Sequence, residues 1–377
     1  MNVRHTKLAA AAALALTGGL ALSACGGSGD PAANGGSGSG SDGGSASGAA
    51  VSGQLAGAGA SSQEAAQGAW TQNFIALNPE AQVTYDSVGS GKGREQFISG
   101  GVQFAGSDDA IKTEELGKVT ETCQGGTAMD IPVYISPIAV VYKLDGVDNL
   151  QLSPATVAGI FSGQITKWND PAIVADNPDA TLPDKAITPV HRSDKSGTTG
   201  NFTDYLSQTA PEAWTAGKVE EWPTDGGQSG DGTSGLISTV EGGDGTIGYA
   251  DFSKAGNLGV AKIKIGEEYV APSADGAAKA VEASPRDTEG RGEHDIVVKV
   301  DRTQTESGVY PLVLVSYLIT CDTYKDQATA DLVKGYASYV ISEDGQKAGA
   351  ESAGSAPLTD GLRTDAQKSI DAIKAKA

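Results

Sequence analysis

The chain has 377 residues, and 47 acidic against 27 basic side chains give it a formal charge of −20. That length accommodates one large unit or two domains with an ample core. The acidic balance excludes the basic stripe of a nucleic-acid binder and any attraction to an anionic membrane surface or polyanion. An anionic ligand would have to be held by local groups, against the field of the whole molecule.

The chain opens with Arg4, His5 and Lys7, followed by an Ala- and Leu-rich apolar run over 8–22. The run is too short to span a bilayer and has the layout of an export signal. It ends in Leu22-Ser23-Ala24-Cys25, which resembles a bacterial lipobox. The resemblance implies that 1–24 is a signal peptide removed on export. Cys25 would then be a lipidated N-terminus that anchors the chain to the outer face of the cell membrane. An ordinary signal peptide beside an unrelated cysteine is the alternative. Loss of Arg4 and Lys7 with that segment takes the charge from −20 to −22. Residues 26–50 are almost wholly Gly, Ser and Ala, with Asp30 and Asp42 as their only charges. Such a composition buries no apolar surface and behaves as a coil with an r.m.s. span of roughly 25–30 Å. Segment 25–50 therefore reads as a tether between a lipid and a folded region.

Beyond Val51, β-rich runs alternate with helix-like ones. The pattern predicts strands over 83–88, 102–106, 131–143, 186–191, 246–249 and 310–320. It predicts helices over 62–77, 92–99, 153–161, 199–206, 328–342 and 364–375. Interleaving of this kind implies an α/β protein with open, largely parallel sheets. No internal repeat is visible, and the Gly- and Asp-rich stretch 225–235 reads as an irregular loop near a site. Besides Cys25 the cysteines are Cys123 and Cys321. In an oxidising exported setting the simplest expectation is that these two pair; two inert buried thiols are the alternative. His191 and His294 are the only histidines after the signal, so no Cys/His cluster has zinc spacing and neither metal nor cofactor is expected.

Three small, hydroxyl-rich turns each stand at the start of a helical pattern. The first is Gly57-Ala58-Gly59-Ala60-Ser61-Ser62, where Ser61 and Glu64 have the spacing of a capping box. The second is Gly89-Ser90-Gly91-Lys92-Gly93 and the third is Ser196-Gly197-Thr198-Thr199. Free amides and the positive end of a helix dipole make each a potential anion site. Alone, each reads equally as a plain N-cap. The Lys92 turn is not a nucleotide P-loop, because Asp86 stands where the first Gly belongs and Gly93 where Ser or Thr does.

Together these turns resemble the phosphate-binding proteins of the PstS family, which feed the high-affinity phosphate ABC transporter. The resemblance rests on Gly57-Ala58-Gly59-Ala60-Ser61, Val88-Gly89-Ser90-Gly91, Phe104-Ala105-Gly106-Ser107-Asp108 and Arg192-Ser193-Asp194-Lys195-Ser196-Gly197-Thr198. Further matches are Ile160-Phe161-Ser162-Gly163, Ile165-Thr166-Lys167-Trp168-Asn169-Asp170, Gly245-Thr246-Ile247-Gly248-Tyr249 and Gly308-Val309-Tyr310-Pro311-Leu312. Ser61 stands where many relatives have Thr, Ser62 where an aromatic is common, and Lys195 where Gly is frequent.

The resemblance implies a two-lobe α/β fold of the periplasmic-binding-protein type II kind, a venus flytrap with ligand in the interlobe cleft. Lobe one would be 51–135 plus 307–377, and lobe two 136–306. It implies that the loop of Ala60, Ser61 and Ser62, together with Ser90, Asp108, Arg192, Ser196, Gly197 and Thr198, binds inorganic phosphate, with Asp194 holding the Arg192 guanidinium. Ionised Asp only accepts, so Asp108 would accept a hydrogen bond from a P–OH and leave sulfate, which has none at neutral pH, facing a second anion. The implied partners are a membrane-embedded phosphate permease and, through Cys25, the membrane; the protein itself would act as a monomer and not as an enzyme. Two other readings compete. A secreted phosphoester hydrolase needs metal ligands or an activated nucleophile, which the sequence does not supply beyond a conceivable triad at His191. A binder of another tetrahedral oxyanion is opposed by Asp108 in the case of sulfate or molybdate, while phosphonate and arsenate fit.

Overall fold

Residues 51–377 are described by a computed structural model of the chain. The expected signal, Cys25 and the tether lie outside the described residues. Nine strands of the described residues form one sheet. In chain order they are β1 (Gly53–Gly59), β2 (Ala81–Ser87), β3 (Phe104–Ser107), β4 (Ala128–Lys143), β5 (Thr188–Arg192), β6 (Gln228–Gly230), β7 (Thr246–Asp251), β8 (Gly259–Val260) and β9 (Val313–Cys321). Their spatial order is β2-β1-β3-β9-β4-β7-β5-β6, with β8 paired to β4 off that path.

The expectation of largely parallel sheets needs correction. β1 runs parallel to β2 and β3, and β5 parallel to β6 and β7. Between these ends, β9 is antiparallel to both β3 and β4, and β4 is antiparallel to β7. The reversal is carried by the two long apolar strands. β4 has 16 residues, all buried except the last, and its sequence is apolar on both faces, broken by buried Asp130 and Ser136, rather than alternating. Its early residues pair with β9 and its final six, from Ile138 on, with β7. One strand thus belongs to both halves of the sheet. Each half carries its own aromatic cluster, with Phe74, Phe104 and Tyr336 on one side and Phe161, Phe202 and Tyr249 on the other.

Every strand expected from the sequence is present with shifted ends, but β1, β6 and the two-residue β8 lie outside the expected strands. β1 is Gly- and Ala-rich, a poor strand composition. Small residues are needed there because a Cβ on Gly57 would lie 2.1 Å from the Phe104 ring on the neighbouring strand. Stretch 225–235 is not one irregular loop: it holds β6 and the first turn of a helix. The helices that matter below are α1 (Glu64–Leu77), α2 (Ser90–Ile98), α3 (Gly197–Thr209) and α4 (Gly232–Glu241). Cys123 and Cys321 are disulfide-bonded, with Cα atoms 5.2 Å apart, and tie the segment ahead of β4 to the end of β9.

Candidate functional site

In a parallel arrangement each strand hands the chain to its helix at the same edge. Here β1, β2, β5 and β6 deliver α1, α2, α3 and α4, while β3 ends directly on Asp108. The residues expected from the three turns meet at this edge.

Asp108 is the centre of the cluster and is 3% exposed. Its Oδ1 accepts hydrogen bonds from Ser62 Oγ and Ser316 Oγ, both at 2.6 Å, and its Oδ2 accepts from Thr198 Oγ1 at 2.8 Å. Its amide donates to Ser90 Oγ at 3.1 Å and its carbonyl accepts from Asn201 Nδ2 at 2.6 Å. Burial pushes the carboxyl up. The hydroxyls of Ser316, Ser62 and Thr198 and the charge of Arg192 oppose that shift without cancelling it.

Arg192 is equally buried and is gripped by Asp194 in a two-pronged pair, Nε to Oδ1 at 2.7 Å and Nη2 to Oδ2 at 2.6 Å. Asp194 also accepts from the Gly232 amide at the start of α4, 3.0 Å away. Burial acts to raise the Asp194 carboxyl, but the hydrogen bonds and charge of Arg192 outweigh it and hold the group below its usual range. The fork leaves Arg192 Nη1 without a protein acceptor among the described residues. With Asp194 balancing Arg192, an ionised Asp108 makes the centre net negative by one charge.

Several donors at this edge have no acceptor among the described residues. They are the amides of Ser61, Ser62, Gly197 and Thr198. The Oγ atoms of Ser90 and Ser196 accept amide hydrogens, from Asp108 at 3.1 Å and Thr199 at 3.2 Å, so their own protons remain to be given. Gly197 permits the close meeting of the two halves. A Cβ there would stand 2.7 Å from Ser90 Oγ and 2.8 Å from Asp108 Cβ.

Three details differ from the sequence reading. Ser61 does not cap α1, whose N-cap is Gln63. Its Oγ instead pairs with Thr233 Oγ1 at 2.9 Å and accepts the Thr233 amide at 3.0 Å, while Glu64 turns to Lys254. The cross-sheet partner wins because α4 brings its own uncapped N-terminus to Ser61. Ala60 lines the turn, but its amide is already donated to Gly106 O at 2.8 Å. Ser62 brings its hydroxyl to Asp108 as well as a free amide. The disulfide lies apart from the cluster, and Cys25 is outside the described residues. Sequence reasoning missed Thr233, Ser316, Gln63 and Asn201. Only Thr233 carried a visible signal, standing in the Gly/Asp-rich stretch marked as close to a site.

A model describing a PBP superfamily domain matches residues 44–344. The phosphate-binding protein PstS 2 of Mycobacterium tuberculosis is 33% identical over 308 residues, covering 80% of this chain and 82% of that protein. The chain belongs to the PstS family. The fold of this PstS-family chain is that of solved phosphate-binding proteins. A high-affinity periplasmic phosphate-binding protein solved with phosphate bound (PfluDING) superposes with a TM-score of 0.70 at 22% identity, over 84% of this chain and 93% of that one. The phosphate-binding protein of Stenotrophomonas maltophilia gives 0.63 at 20% identity, over 84% and 93%. The two-lobe α/β fold expected of the PstS family is therefore the fold of this chain.

Proposed function

We propose that the protein binds inorganic phosphate outside the cytoplasm and delivers it to the membrane-embedded permease of an ABC transporter, without catalysing a reaction. The observation that carries this reading is the mixture of groups at one buried edge: amides and an Arg192 Nη1 without acceptors among the described residues, two hydroxyl protons, and one carboxylate acceptor in Asp108. A tetrahedral oxyanion satisfies the donors, and only one that still carries a proton satisfies Asp108. Ligand residues would be Ser61, Ser62, Ser90, Asp108, Arg192, Ser196, Gly197 and Thr198, with Asp194 orienting Arg192. The groups sit on both sides of the shared strand β4, so the ligand would make its full set of contacts only when the halves are together. Differential contact of that kind is what drives closure. The lobes would be 51–135 with 307–377, and 136–306. Processing at Cys25 would leave a lipid-anchored monomer on the outer face of the cell membrane.

The hydrolase reading has less support. The His191 ring is stacked on Trp222 with centroids 4.9 Å apart, and its Nδ1 is placed against Arg192 O at 3.0 Å, an arrangement suited to packing rather than to activating a serine. Calorimetric titration with phosphate and sulfate, after bound phosphate is stripped by partial unfolding, tests the proposal. Phosphate is expected to bind and sulfate not to compete, and Asp108→Asn is expected to narrow that preference. Absence of heat with phosphate would end the proposal.

A further inference from the structure

Behind Asp108 lies a buried chain of side chains with no place in the ligand set. Tyr336 Oη donates to Gln67 Oε1 at 2.7 Å, and Gln67 Nε2 donates to Gln63 Oε1 at 2.7 Å. Gln63 Nε2 donates to Ser316 Oγ at 2.6 Å, and Ser316 Oγ donates to Asp108 Oδ1 at 2.6 Å. All four side chains are at most 1% exposed. The direction of the chain is imposed by chemistry. Gln63 Nε2 also faces the Tyr317 carbonyl at 3.1 Å, which can only accept, so the amide nitrogen must be on that side and the amide oxygen toward Gln67. Ser316 already accepts from Gln63, and its remaining neighbour is a carboxylate oxygen, so its proton points at Asp108. Four donors in series are aligned toward one oxygen, and such a series polarises each member in the same sense.

The two oxygens of Asp108 are consequently unequal. Oδ1 takes Ser316 and Ser62, two buried hydroxyls that fill its lone pairs. Among the described residues Oδ2 takes only Thr198, from the other half of the sheet. We infer that the Tyr336–Gln67–Gln63–Ser316 chain is a positioning relay that keeps Asp108 an acceptor and leaves Oδ2 as the atom that accepts the hydrogen bond of the ligand's P–OH. Ser316 is its positioning residue. The inference rests on the phosphate-binding reading and adds to it the residues that enforce the choice of a protonated oxyanion. Other charged and titratable groups face Asp108. Arg192 favours its ionised form; the Tyr85 hydroxyl lies near but donates to Ala60 O at 2.9 Å; neighbouring Asp109 is turned to Lys218 at 2.7 Å. None of them replaces the Ser316 proton on Oδ1.

The test uses the full chain with Ser316→Ala, Ser316→Thr and Tyr336→Phe. First, the Asp108 carboxyl is titrated by carbon NMR in ligand-free protein, its resonance identified by Asp108→Asn. Losing one charge-assisted donor is expected to raise its midpoint by about one pH unit or more in Ser316→Ala. Tyr336→Phe should shift it the same way by less, and Ser316→Thr, which retains the hydroxyl, should restore it. Second, the pH below which sulfate begins to compete with phosphate should move up with that midpoint, because a protonated Asp108 donates to either oxyanion. Unchanged titration and unchanged sulfate onset in Ser316→Ala overturn the relay while leaving phosphate binding intact. If that variant does not fold, Tyr336→Phe decides on the same readouts. A wild-type protein that binds no phosphate overturns the function instead, and the NMR titration still judges the relay.

Discussion

Gly197 packs directly against Ser90 and Asp108 of the other half of the molecule, and its missing side chain has a measurable consequence. Any Cβ would press on Ser90 Oγ, on Asp108 Cβ and on the Asp109 amide, the last at 2.9 Å. Two of those three neighbours are backbone or backbone-attached atoms, which do not move aside as a flexible chain end does. Gly197→Ala should therefore hold α3 away from Asp108 and weaken phosphate at least tenfold, while the ligand-free melting temperature changes little; titration calorimetry and a thermal melt read the two effects. Unaltered affinity would mean that the halves meet differently in the bound protein. The same residue illustrates what a sequence conveys at this scale. Ser-Gly-Thr before an amphipathic run announces a helix start able to receive an anion, and Arg192 with Asp194 announces an oriented guanidinium. Ser316 could not be found that way. It is one hydroxyl within an apolar strand, and its meaning depends on Asp108, 208 positions away in the chain.

At the scale of elements, α2 and the segment after α3 are joined by a buried ion pair outside the ligand cluster. Arg94 Nη2 lies 2.7 Å from both Glu220 oxygens, and the two side chains are 1% and 5% exposed. Arg94 also donates to Ser107 Oγ at 2.9 Å, and Lys218 reaches Asp109 at 2.7 Å beside it. Burial acts to raise the Asp109 carboxyl, but Lys218 and Arg94 outweigh it and keep the group low. Removing one member of a buried pair strands the other charge, typically at a cost of about 3–5 kcal/mol. Glu115, 3.8 Å from Arg94 Nε, softens that penalty, so Glu220→Gln is expected near the lower end. Urea unfolding of the phosphate-saturated protein measures it. A loss there that vanishes without phosphate would place the pair in the closed state only, and a loss below about 1 kcal/mol in both states would refute the argument. Long periodic elements such as β4 and β9 were legible from their apolar runs. β1, β6 and α4 were not, because Gly-, Ala- and Ser-rich stretches acquire their structure from close packing between elements rather than from local propensity. The antiparallel centre of the sheet escaped for a related reason: strand direction depends on where β9 returns, which no local pattern encodes.

At the scale of the whole molecule, the acidic charge and an anionic ligand are in apparent conflict. The chain carries −20, and would carry −22 if the expected signal with Arg4 and Lys7 were removed, so its long-range field repels phosphate. The proposed site would answer with short-range groups. Arg192 and Asp108 are each 3% exposed, and the donors around them are backbone amides and hydroxyls held by four helix starts. Salt acts on these two contributions very differently. Raising ionic strength from 0.01 M to 1 M shortens the Debye length from about 30 Å to about 3 Å, which erases the surface field but hardly enters a desolvated cluster. If binding is local, the phosphate dissociation constant should stay within about threefold across that range in sodium chloride, since only the screened surface term changes. The association rate should rise slightly with salt, because screening removes a repulsion rather than an attraction. Calorimetry and stopped-flow fluorescence of the native tryptophans read the two quantities. A dissociation constant that climbs tenfold or more with salt would mean that exposed basic residues gather the anion, and the buried edge around Asp108 and Arg192 would then be the wrong place to look for it.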